Sequence, residues 1–63
     1  MIETIRYRIE QLEELAGDMS ILAEGIEINE SGTLSNQFVA EMVNSFAETL
    51  YEIVDEIKGD IHD

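Results

Sequence analysis

IETIRYRIEQLEELAGDMSILAEGI, residues 2–26, is the stretch on which the fold turns. Its apolar positions Ile2, Ile5, Ile9, Leu12, Ala16, Met19, Ala23 and Ile26 advance by alternating steps of three and four. Such steps keep side chains on one face of a helix, and sustained over more than three heptads they make a continuous seam. Leu15 and Leu22 flank the seam and widen it into the face of a bundle helix. Gly17 lies inside the pattern at a cost of about 1 kcal/mol relative to alanine. Gly25 stands where a C-cap belongs, so the spacing predicts a helix over about 2–24.

Beyond it, IEINESGTLSN clusters Gly, Ser, Asn and Thr, the composition of a loop over about 25–34. Ser35 is a good N-cap, and Val39, Val43, Phe46, Leu50, Ile53 and Ile57 then repeat the four-three pattern, broadened by Met42, Ala47 and Val54. The second helix is expected over about 35–58, closed by Gly59, with a frayed tail at 59–63. No proline interrupts either segment. The reading is a single all-α domain over 1–63, an antiparallel two-helix hairpin. Each apolar face is too wide for one partner helix, so two hairpins are expected to dimerise into a four-helix bundle. The alternative is a monomer with a short third helix over 26–33.

Composition narrows the function. A chain of 63 residues buries little surface alone, and small folds are usually held by disulfides, a metal or self-association. Cysteine is absent, which excludes disulfides and thiolate metal sites, and the single histidine, His62, is next to the last residue. A homodimer is what remains. The formal charge is −12, with 15 Asp and Glu against Arg6, Arg8 and Lys58. Direct binding to nucleic acid or to an anionic membrane needs a basic patch and is not expected. A protein partner with a basic surface is. MIETIRYRIEQLEE has no basic leader followed by an apolar run, and no apolar stretch is long enough to span a bilayer, so a cytoplasmic protein is expected.

Motifs that carry chemistry are sparse. EINESGTLSNQF puts Glu27, Asn29, Ser31 and Gly32 at the first, third, fifth and sixth positions of a calcium loop. Its twelfth position, which needs a bidentate glutamate, is Phe38. Ser20, Ser31, Ser35 and Ser45 have only His62 as a base, with no third group to orient it. QLEELAGD and EIVD supply Glu13, Glu14, Asp18, Glu52 and Asp55. This pairing resembles the all-α nucleotide pyrophosphatases of the MazG type, whose EExx(E) and ExxD motifs hold magnesium between helices. The resemblance implies a metal-dependent hydrolase as a remote alternative. The main expectation is no catalytic site, no metal and no cofactor.

What stands out is charge. Glu10, Glu14 and Asp18 recur every four residues on the first helix, and Glu48, Glu52 and Glu56 do so on the second. Exposed helices usually interleave cations to gain i,i+4 pairs, whereas like charges at that spacing cost a few tenths of a kcal/mol per pair. At about 1.5 Å rise per residue the acids repeat every ~6 Å, comparable to phosphates along a nucleic-acid strand. The columns are therefore candidate partner-binding residues, with Tyr7 and Tyr51 as aromatic contacts bordered by charge. The chain is similar in size and composition to small acidic phage proteins that act against host nucleic-acid enzymes. The expectation is a non-enzymatic inhibitor or modulator that mimics nucleic-acid charge in a basic cleft. The alternative is a structural or adaptor protein that uses apolar contacts, its charge serving solubility.

Overall fold

A computed structural model describes residues 2–29, 32 and 34–61. Ser31 and His62, weighed above as nucleophile and base, lie outside the described residues. Two helices pack against each other, α1 over Ile2–Glu27 and α2 over Asn36–Asp60. They run antiparallel: Arg8, near the start of α1, bonds Asp60 at the end of α2, and Ile26 and Val43 line one groove beside the loop. Ile28, Asn29, Gly32 and Leu34 in the connection are not helical.

Both helices outrun the ends expected for them. Gly25 is not a cap. Gly32 alone among the described residues has a positive φ, at 71°, and α1 passes through Gly25 to Glu27. Continuing the helix carries Ile26 into a groove with Met19, Leu22 and Ala23, and the Ile28 amide still donates to the Glu24 carbonyl at 3.0 Å. At the other end Gly59 and Asp60 remain helical, because Arg8 holds the Asp60 carboxylate and the Ile61 amide donates to the Ile57 carbonyl at 3.1 Å. The start of α2 follows the N-cap reading. Ser35 has extended backbone, and its hydroxyl accepts from the Phe38 amide at 3.0 Å, a cap worth about 1 kcal/mol.

The core follows the expected seam on α2, where Ile53 is buried, and departs from it on α1. Among the described residues Leu15 (6% exposed) and Ile53 (3%) are the buried ones. Leu15 flanks the heptad seam of α1, while seam residues Ile2 (73%) and Ile9 (50%) face solvent. The reason is geometric. α2 touches α1 along the flank that carries Leu15 and Leu22, so the seam itself is left to one side. The Cα atoms span 51 × 18 × 9 Å with a radius of gyration of 15.0 Å, against about 11 Å for a compact chain of this length. The hairpin is a plate one helix thick.

Candidate functional site

A plate has two broad sides, and the periodicity of each helix sorts its residues between them. On one side Met19, Ala23 and Ile26 of α1 meet Val43, Ala47 and Leu50 of α2 around a groove of about 330 Å³ near the loop. A smaller groove of about 160 Å³ continues the same stripe at the terminal end, lined by Ile5, Ile9, Leu12, Ile57 and Ile61 with Arg8 and Asp60 at its edge. This side is apolar along its length.

The opposite side is acidic over its middle. Glu14 of α1 and Glu52 and Glu56 of α2 line one groove of about 190 Å³ whose floor is Leu15 and Ile53. The two columns thus meet across the helix boundary. Asp18 lines an adjoining hollow toward the loop that Ile21, Leu22, Met42 and Phe46 otherwise make apolar. Glu10 and Glu48 are exposed and line neither. The structure therefore brings together three of the six column acids, places Asp18 next to them and leaves two apart.

Arg8 closes the terminal end. Its guanidinium donates to Asp60 from Nε at 2.7 Å and from Nη2 at 3.3 Å, to Glu56 from Nη1 at 2.5 Å, and from Nη1 to the side-chain Oε1 of Gln11 at 3.0 Å. Its side chain is 18% exposed, and its guanidinium lies 5.4 Å from the Tyr7 ring centre. Glu56 is accordingly an internally paired acid rather than a free member of its column. Tyr7 is occupied as a platform for Arg8, while Tyr51 is exposed on α2. Sequence reasoning counted Arg8 merely as a scarce base. The signal for its role was a lone cation beside the apolar stripe, positioned by antiparallel pairing opposite acids at i and i+4.

Hydrogen bonding to Arg8 holds the Asp60 carboxyl below the ordinary aspartate range, and Asp60 in turn raises Arg8. A folded-state carboxyl with a depressed pKa contributes stability that is complete above its unfolded value and is lost as pH falls through its folded value. The clasp should therefore persist from neutral pH to about pH 4 and open below that. An NMR titration of the Asp60 carboxyl carbon should place its midpoint below about 3.9. A midpoint at the unperturbed value would mean that the clasp does not persist in solution.

The metal-dependent alternative needs Glu13, Glu14, Glu52 and Asp55 around one ion. Glu14 and Glu52 share a groove, but Glu13 and Asp55 do not line it. Among the described residues no group of three or more His, Cys, Asp or Glu side chains is placed to hold a metal. Nor, among them, is any helix long and apolar enough to cross a membrane. The chain matches no protein-family model and has no significant similarity to a curated protein or a solved structure. Fold and surface chemistry thus define the class, an acidic all-helical hairpin, and the functional reading rests on them.

Proposed function

We propose that the protein is a small non-enzymatic binding protein, an inhibitor or modulator whose acidic side engages a basic cleft on a protein that itself binds nucleic acid. Two hairpins form the working unit, a four-helix bundle held by the apolar sides. The observation that carries this reading is the segregation of the two surfaces. Glu14, Glu52 and Glu56 converge on one broad side, and the aliphatic stripe occupies the other. With a formal charge of −12, complementarity of charge speeds encounter and makes binding steeply dependent on salt.

The test is capture from host-cell lysate on immobilised protein, with duplex DNA as competitor. A nucleic-acid-binding protein that is retained at low salt, released by modest NaCl and displaced by DNA is the expected result. A partner that survives high salt and ignores DNA would overturn the charge-based reading. It would favour the adaptor alternative, for which the exposed isoleucines of the α1 seam are the supporting observation.

A further inference from the structure

We infer that the apolar side docks a second copy of this chain turned end for end, so that the loop end of each hairpin covers the terminal end of the other. This rests on the dimer reading above and adds to it the orientation and the valence. The first argument is area. The chain exposes 5345 Å², whereas a compact protein of 7.1 kDa exposes about 4,100 Å². The excess of roughly 1,200 Å² is more than the ~800 Å² that each partner contributes to a standard stable interface. The second argument is shape. The apolar side is two helices wide, and a single docked helix about 10 Å across would leave half of it wet. Another hairpin matches it in length and width. Charge does not oppose the pairing. Layers packed with axes 8–10 Å apart put the acidic sides roughly 20 Å from each other, beyond the Debye length of about 8 Å at physiological salt.

Orientation follows from where the bulk lies. The loop half of the stripe sets two alanines, Ala23 and Ala47, among larger residues such as Met19 and Leu50 around a groove of about 330 Å³, whereas the terminal half has isoleucines such as Ile9 and Ile57, no alanine among its described residues and a groove of about 160 Å³. Stacked loop over loop, α1 lies on the copy's α2, small residues face small ones, and the groove is doubled while the isoleucines collide. A void and an overpacked end are both destabilising. Turned end for end about an axis across the plate near Ala16, α1 lies on α1 and α2 on α2. Ala23 then faces Ile9 of the copy and Ala47 faces Ile57, each contact made twice, as an isologous interface requires. Large against small on either side of the Ala16 axis is the arrangement that fills a core. Both acidic sides point outward on opposite surfaces, so one dimer offers two equivalent sites to basic partners.

Because the chain has no cysteine, the orientation can be read by disulfide trapping. Sedimentation of the unmodified chain at tens of micromolar should give a dimer. Under mild oxidation Ala16→Cys should convert mostly to a self-linked dimer. A mixture of Ile9→Cys and Ala23→Cys chains should give mainly the mixed disulfide. Efficient linking of an Ala23→Cys and Ala47→Cys mixture in place of these would overturn the end-for-end orientation and leave the dimer standing. A monomer in sedimentation would overturn the pairing altogether. Neither result touches the acidic-side reading, which the salt and DNA competition decides separately.

Discussion

Leu15→Ala and Ile53→Ala should each abolish most of the cooperative helical melting transition followed by circular dichroism. These are the buried residues of the described chain, 6% and 3% exposed, and they touch the same interhelical groove. Truncating a buried leucine or isoleucine typically costs about 2–5 kcal/mol. Small domains have total stabilities near the low end of about 5–15 kcal/mol, so one truncation consumes most of the margin. Ile21→Ala is the control. At 69% exposure, on the side away from the apolar stripe, it lies where substitutions usually change stability by less than about 0.5 kcal/mol. Melting curves unchanged by both core truncations would show that the helices do not pack as described. The midpoint should also rise with protein concentration, since association stabilises by mass action.

The second large effect is one of opposite signs. In Glu14→Gln/Glu52→Gln, two acids that share one groove lose their charge. Relief of repulsion should raise the melting temperature at low salt, by a few tenths of a kcal/mol for each like-charge pair removed. The same change should weaken capture by a basic partner, chiefly by slowing association and flattening the salt dependence. A stabilised variant with undiminished capture would mean that the acidic side is a solvated surface and not a recognition surface. Stability and capture moving in opposite directions is what a surface kept acidic for binding predicts.

The helices were legible because seam residues spaced by three and four admit little else, and Ser35 announced the start of α2. The burial pattern was less so. From Ile2 to Ile26 the seam reads as a core, yet a hairpin has one neighbour per helix, and that neighbour covers Leu15 rather than Ile9. Periodicity fixes which residues share a face but not the angle at which another helix meets it. The same ambiguity hid the convergence of Glu14 with Glu52, since each column is visible alone and their meeting depends on helix rotation. Gly25 misled because a glycine caps a helix only when the chain turns there. Ile26 gains more by staying helical and reaching the groove with Val43.

The Arg8 clasp has a kinetic meaning. It joins residues 52 positions apart, far more than the contacts beside the loop. Closing a longer loop costs more chain entropy, so the hairpin gains its contacts in order from the loop outward, like a zipper. The clasp is then the last tie to form and the first to meet a fraying end. A contact absent from the folding transition state acts on the rate of opening and barely on the rate of closing. Arg8 therefore acts on how long the terminal ends of the helices stay paired more than on how quickly they meet.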